Sequence, residues 1–390
     1  MKILFIAHRI PFPPNKGEKI RTFHQLRYLN NKHDVFLCFI VDDKRDLGYT
    51  ACLNDYCNKM VFTFISTFYN KCKALLMSLF SQKPLTLRFF YSKTLQQRVH
   101  QILTEEQFDL VIASCSSVAQ YIPQSFKPKV MDLIDIDSDK WLQYAQFTSF
   151  PKRKIYQQEA KRMAKYEKHL LDTWERCYVI SPQEAQIVDG EKRLHVLANG
   201  VDLDYFDNLY ENRGCDIVFV GTMNYFPNVD AMIYFCNEIW PYVVKKHPKV
   251  KLYIVGRDPS PCISELRSDN IIVTGAVEDI RLYLQKAKLA IAPIRIARGV
   301  QNKVLEYIAC GLPCVISPQA AEGIDLSNLD SGIWIENNAT TFAQRINSCL
   351  EENIEIPTTR REIFAQKYSW ETHLANWEKD LLEIVAESKS

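Results

Sequence analysis

The chain has 390 residues, 47% of them apolar and 24% charged; this is too long for one core of ordinary size, favours two domains, and excludes a disordered chain. Lys and Arg number 48 against 46 Asp and Glu, so net charge gives no reason to expect a nucleic acid partner, and none is expected. No stretch approaches the roughly 18 uncharged apolar residues of a membrane span, and the apolar run in "MKILFIAHRI" is too short for a secretory signal, so a cytoplasmic protein is expected. The twelve cysteines form no CxxC pair, and most lie in apolar segments. They read as reduced, buried small hydrophobes, not as disulfides or a zinc site, and no metal is expected.

Short β-branched and aromatic runs alternate with longer stretches of helical character, the pattern of repeated βαβ units and a parallel sheet. "KILFIA", "DVFLCFI", "KMVFTFI", "FDLVIA", "KVMDLI", "RCYVIS" and "LHVLAN" read as the strands of a first α/β domain, residues 1–198. After the first of them, "PFPPNKGEKIR" places Gly17 at a helix start, where a turn glycine and a ligand's close approach are compatible uses. Residues 65–98 mix Phe, Leu and Met with Lys71, Lys73, Lys83, Arg88 and Lys93 and hold scarcely any acid. Such a stretch suits an anionic membrane surface, on the inner face if the protein is peripheral, or equally buried helices with basic ends. In "DLIDIDSDKW", Asp135 and Asp137 follow the fifth strand, as a strand-end turn, a helix cap or a site carboxylate.

The turn-rich "NGVDLDYFDNLYENRG" marks a boundary. "CDIVFVG", "VKLYIVG", "NIIVTG", "KLAIAPI", "GLPCVIS" and "SGIWIE" read as strands of a second Rossmann-like domain, residues 199–368. Apolar Trp370, Leu374, Trp377, Leu381 and Ile384 then recur at helical spacing in a terminal helix, 369–390, expected to pack back toward the first domain. Ligands of open parallel sheets bind beyond the carboxyl ends of strands, so the two domains are expected to face a cleft lined by those loops. Gly221, Thr222, Asn224 and Gly256 lie in such loops, and Arg257 is a candidate phosphate contact. Asn228 and Asp279 read as helix caps.

The segment "RGVQNKVLE" carries the sharpest signal. "QNKVLEYIAC" should be a helix of about ten residues, stopped by Gly311 and Pro313. A helix start carries free N–H groups and partial positive charge, usually offset by Asp or Glu. Here Arg298 and Lys303 add positive charge instead, and Gly299 lets backbone approach a ligand, so an external phosphate or diphosphate is the missing partner. Glu306, three residues after Lys303 and four after Asn302, lies near the same face and can accept two hydrogen bonds from vicinal ribose hydroxyls. The plainer alternative is a solvated Lys303–Glu306 pair with Arg298 as a surface charge. Gln301 and Asn302, at the helix mouth, complete the candidate set.

With the order and spacing of "PFPPNKGEKIR", "VISPQEA", "NGVD", "VFVGTMNYFPNVDA", "IVGRDPSP", "VTGAVEDIRLYLQKAKLAIAP", "KVLEYIACGLPCVIS" and "YSWETH", the chain resembles the retaining glycosyltransferases of family 4, which have the GT-B fold. The combination of "MNYFPN" with "RGVQNKVLE" is similar to sugar transferases of bacterial exopolysaccharide systems. The resemblance implies a nucleotide-sugar donor, no required cofactor, a glycan or lipid-linked acceptor, and retention of anomeric configuration. It makes Glu306 the ribose ligand and puts Val277, in "GAVEDI", near the base. Arg298 stands where the family has a first glutamate, and Asp135 where a histidine is common. Arg298 and Lys303 would then hold the diphosphate, since "GTMNYFPN" lacks the Arg and Lys usual there. Two rival readings are a catalytically silent binding subunit and a metal-dependent transferase using Asp135 and Asp137.

Overall fold

The computed structural model describes residues 1–15, 17–78, 82–146, 148–188, 193–206, 215–296, 300–327, 329, 332–352, 354 and 356–389. The chain divides into two compact units, Met1–Ala198 with Leu374–Ser390, and Asn199–His373. Each is a Rossmann-like unit built on a parallel sheet.

In the first unit the strands are β1 (Lys2–Ala7), β2 (Asp34–Val41), β3 (Lys59–Phe64), β4 (Leu110–Ser114), β5 (Lys129–Ile134), β6 (Arg176–Val179) and β7 (Leu194–Val196). They are ordered β3-β2-β1-β4-β5-β6-β7, and every pair is parallel. Central strands covered on both faces are apolar without alternation, and Ile3 through Ile6 have no exposed surface. The second unit has β8 (Cys215–Val220), β9 (Leu252–Val255), β10 (Ile271–Gly275), β11 (Ala287–Ala292), β12 (Cys314–Ile316) and β13 (Ile333–Ile335), ordered β10-β9-β8-β11-β12-β13. All thirteen coincide with runs expected from the sequence.

The strand order reverses direction between β1 and β4 in one unit and between β8 and β11 in the other, which opens a crevice at the carboxyl end of each pair. In the first unit the crossover is fastened by a buried ion pair. Arg21, from the helix Gly17–Asn30, makes two bonds to Asp132 of β5, at 2.7 and 2.9 Å. Gln25 donates to the same carboxylate at 2.7 Å, and Arg21 also donates to the Leu197 carbonyl at 2.7 Å. Neither Arg21 nor Asp132 has exposed surface. The pair is tolerated because its strong donors and acceptors have partners.

The terminal helix is Trp370–Lys389. All five residues of its expected apolar stripe are buried. Within the first unit, Glu378 accepts from Tyr28 at 2.8 Å and Lys32 at 2.7 Å, and Tyr178 and Arg176 both reach Asp380. At the head of the second unit, Gly200 is required by a close approach. A Cβ there would lie 2.5 Å from the Trp370 nitrogen, in the segment where Val201 donates to the Tyr368 carbonyl at 2.7 Å.

The cysteines correct one expectation. Cys38, Cys57, Cys177, Cys310, Cys314 and Cys349 are buried, but Cys52, Cys72 and Cys262 are exposed, because each lies on a helical segment whose other face meets the protein. Among the described residues, no helix is long and apolar enough to cross a membrane.

Truncating Arg21 strands a buried carboxylate. Arg21→Ala should lower the unfolding free energy by about 3–5 kcal/mol, measured by denaturant titration, with Arg21→Lys recovering part of it.

Candidate functional site

The site in the second unit begins where two strands part. β8 and β11 pair from Ala287↔Cys215 to Ala290↔Val218 and no further. In the gap beyond, the Tyr307 hydroxyl accepts the Val220 N–H at 3.2 Å and donates to the Ile291 carbonyl at 3.2 Å. Two buried backbone groups of adjacent strands are thereby satisfied without pairing to each other. The loops after β8 and β11 are free to diverge.

Tyr307 sits on the helix Asn302–Ala309, eight residues long and not the expected ten, because Gly311 adopts φ 61° and turns the chain. Gln301 holds the N-cap position without a side-chain capping bond, and the first turn has no acid. Lys303 and Glu306 project from this helix, each half-buried. The Lys303 ammonium donates to Asn228 Oδ1 at 2.5 Å and lies 4.5 Å from the centre of the Phe219 ring. No carboxylate of the described residues is within ion-pair distance of it. Burial pushes Lys303 down to about 7, with the Glu306 charge opposing that shift. Burial likewise pushes Glu306 up to about 7, with Lys303 opposing. The Glu306 carboxylate makes no hydrogen bond to any described residue. The solvated surface pair allowed as the plainer alternative is therefore absent: both groups are partly desolvated and neither neutralises the other.

Asn228 is more than the cap expected for it. The helix it belongs to is Phe226–Tyr234, whose N-cap is Tyr225, so Asn228 falls inside the first turn. While Oδ1 receives Lys303, Nδ2 donates to the Thr222 carbonyl at 3.0 Å, tying the loop after β8 to the helix after β11. Gly221 makes room for this, since a Cβ there would meet Asn228 Nδ2 at 2.6 Å. Gly256, at φ 151°, lets the loop after β9 pass so closely that a Cβ would lie 1.7 Å from the Gly221 carbonyl oxygen. A second bridge across the crevice joins Arg295 to Asp230, at 2.9 and 2.5 Å.

The remaining expected residues fall as follows. Thr222 is half-buried, Asn224 exposed and Gln301 half-buried, and none uses its side chain in a hydrogen bond to a described residue. Asn302 turns its amide oxygen to Asn199 Nδ2 at 3.0 Å, so part of it serves to hold the start of the unit. Val277 packs against the core of the second unit. Asp279 accepts the Arg281 N–H at 2.9 Å and its guanidinium at 2.9 and 2.6 Å, and Arg281 stacks on Tyr205 at 4.1 Å. Arg257 has buried Nε and Nη2 without hydrogen-bond partners and reaches only Asp258, at 3.8 Å. Arg298 and Gly299 lie outside the described residues.

Asp135 and Gly17 belong to the first unit. Asp135 follows β5 directly, after Ile134 at φ 68°, and forms no hydrogen bond to a described residue. Burial, reinforced by Asp137, raises its carboxyl above the usual range against the pull of Lys140. Asp137 accepts from Ser116 at 2.7 Å. A Cβ on Gly17 would meet nothing within 4 Å, so no packing in this chain demands glycine there. Among the described residues, no group of three or more His, Cys, Asp or Glu side chains is placed to hold a metal ion.

Sequence reasoning missed the joint work of Asn228 and Tyr307 and the Arg295–Asp230 bridge. The one available signal for Asn228 was its place in "MNYFPN", just after a strand that opens on a glycine loop.

The switch point of the second unit thus brings together an ammonium held by an amide oxygen, a helix start without a side-chain cap and a partly buried carboxylate. Residues 214–352, within the second unit, match the family model described as glycosyl transferases group 1. An uncharacterised 44.6 kDa protein in the cps region of Klebsiella pneumoniae is 21% identical over 88% of this chain and 90% of its own length. Among solved structures, the chain is similar to sucrose-phosphate synthase of Thermosynechococcus elongatus, with TM-score 0.70, 14% identity and coverage of 99% and 100% of the two chains. It is also similar to Anabaena HepE in complex with UDP and glucose, with TM-score 0.66, 14% identity and coverage of 98% and 99%. These GT-B neighbours establish the fold.

Two substitutions separate scaffold from site. Tyr307→Phe leaves the Val220 N–H and Ile291 carbonyl unsatisfied and should cost about 1–3 kcal/mol of stability. Asn228→Ala removes the one hydrogen bond on Lys303 and should cost about 1.5–3 kcal/mol. Thermal and denaturant unfolding of the purified chain check both.

Proposed function

We propose that the chain transfers a sugar from a nucleoside-diphosphate sugar to a glycan or lipid-linked acceptor during surface polysaccharide assembly, retaining anomeric configuration as in family 4. The observation that carries this reading is the pair Lys303 and Glu306, one turn apart at an uncapped helix start, partly desolvated and, among the described residues, without a countercharge in contact. A diphosphate supplies the anion that Lys303 and the free N–H groups lack, and a ribose supplies two hydroxyls to Glu306. HepE, a protein of the same fold, was crystallised with UDP and glucose, which supports a uridine nucleotide as the first donor to test. The cps-region relative supports a polysaccharide product.

In the transition state the departing diphosphate gains negative charge. An ammonium already fixed by Asn228 and stripped of much of its water stabilises that charge without reorganising. Arg298 and Gly299, which precede this helix in the sequence, are assigned to the same diphosphate, and Arg257 offers guanidinium nitrogens to the same phosphates. Gly221, Thr222, Asn224 and Gly256 supply close backbone approach from the neighbouring loops, with Gln301 and Asn302 at the helix mouth and Val277 beside the base. Asp135 hydrogen-bonds a sugar hydroxyl, and Gly17 gives the loop after β1 close backbone approach to the donor. The protein acts from the cytoplasmic side, and the residues invoked require no cofactor.

Binding and turnover test this directly. Calorimetry with UDP, GDP, ADP and their sugars should find one preferred nucleotide. Glu306→Ala should weaken it by roughly tenfold to a hundredfold, and Lys303→Ala should slow transfer by about a hundredfold or more with the fold intact. Undiminished turnover in both variants overturns the assignment. Because burial lowers the Lys303 ammonium to about 7, and only the protonated form attracts a diphosphate, affinity should fall as pH rises above neutrality. Lys303→Arg, charged throughout that range, should flatten the fall.

A further inference from the structure

The helix Thr67–Ser78 is turned inside out. In an ordinary surface helix the apolar stripe faces the core and the polar side faces water. Here the inward side is polar or small. Thr67 Oγ1 donates to the Asp42 carbonyl at 2.7 Å, and Asn70 Nδ2 donates to the Phe89 carbonyl at 2.7 Å. Ala74 is buried beside them. The outward side carries Phe68, 80% exposed, with Tyr69, Leu75 and Leu76, each more than half exposed, and the exposed Cys72.

At 100° per residue, Phe68, Cys72 and Leu75 form the centre of this outward stripe, with Tyr69 and Leu76 beside them. Lys71 lies on one flank and Lys73 on the other, both exposed. From Asp55 to Glu105 the sequence contains no intervening Asp or Glu, so nothing within the segment repels an anionic surface. Apolar side chains projecting between two rows of positive charge match a helix lying in the plane of a bilayer, with rings and aliphatic groups below the headgroups and ammonium groups among them. A protein partner would have to offer an apolar groove rimmed by acids, whereas anionic lipid offers that combination everywhere on its surface.

We infer that this helix docks the chain onto an anionic membrane surface, with Phe68, Leu75 and Leu76 inserting and Lys71 and Lys73 contacting lipid headgroups. The inference does not depend on which donor the second unit binds. It gives the lipid-linked class of acceptor a physical route to the enzyme.

Co-sedimentation of the full chain with vesicles tests it, using phosphatidylcholine alone and an equimolar mixture with phosphatidylglycerol. The chain should bind the mixed vesicles, release with rising salt, and bind the neutral ones weakly. F68S/L75S/L76S should reduce binding by tenfold or more, and K71E/K73E should cost at least about fivefold per lysine. Both variants should keep wild-type nucleotide binding and melting temperature, so that failure of this surface is distinguishable from failure of the donor site. Equal binding to both vesicle types, no binding, or full binding by the apolar triple variant overturns the inference. So does concentration-dependent self-association of the wild type that the triple variant abolishes, which would assign the stripe to a second copy.

Discussion

The site in the second unit depends on the gap between β8 and β11 being held open at no cost in unsatisfied backbone. The Tyr307 hydroxyl does this by accepting a hydrogen bond from Val220 of one strand and donating one to Ile291 of the other. Without it, a buried N–H and a buried carbonyl would face each other across a space too wide for direct pairing. With it, the two loops diverge, and the helix that carries Tyr307 also sets Lys303 and Glu306 at the crevice. The same residue opens the site and orients its charged groups.

The first unit holds a buried cation and the second a half-buried one, with opposite outcomes. Arg21 meets a carboxylate in two-point contact, backed by an amide and a carbonyl, and is finished as a structural element. Among the described residues Lys303 meets a neutral amide oxygen and the face of an aromatic ring and no carboxylate in contact, which leaves positive charge in a partly desolvated place. Local fixing by Asn228 prevents the side chain from swinging into water to recover its hydration. A charge held in place without a contacting countercharge marks a candidate site, and a fully paired one marks a scaffold.

Much of this was legible before the chain was folded. The central strands could be read because parallel strands covered on both faces are apolar for most of their length, as in "DVFLCFI", and the shorter edge strands because β-branched and aromatic residues recur there between turn signals. Lys303 and Glu306 stood out because a helix mouth with cations and no acid contradicts the ordinary electrostatics of helix ends. Asn228 was misread as a cap, since a short polar residue near a helix start usually is one. Its real partner, Lys303, lies 75 residues away, and no local rule connects them. Arg295 and Asp230, 65 residues apart, were hidden for the same reason.

The sequence by itself therefore determined the alternation of strands and helices and the boundary near Asn199, and it singled out "RGVQNKVLE" as a segment whose local charge is unusual for a helix start. These are written in periodicity, turn residues and the sign of local charge, which act over a few residues. Only the tertiary structure decided which charges are neutralised and which way an amphipathic helix faces. "TFYNKCKALLMS" has one apolar stripe whether that stripe meets the core or the solvent. The choice is made by Asp42 and Phe89, whose carbonyls take the Thr67 and Asn70 side chains and turn the apolar stripe outward. Burial and pairing are relations between distant segments, so they exist only once the chain has closed on itself.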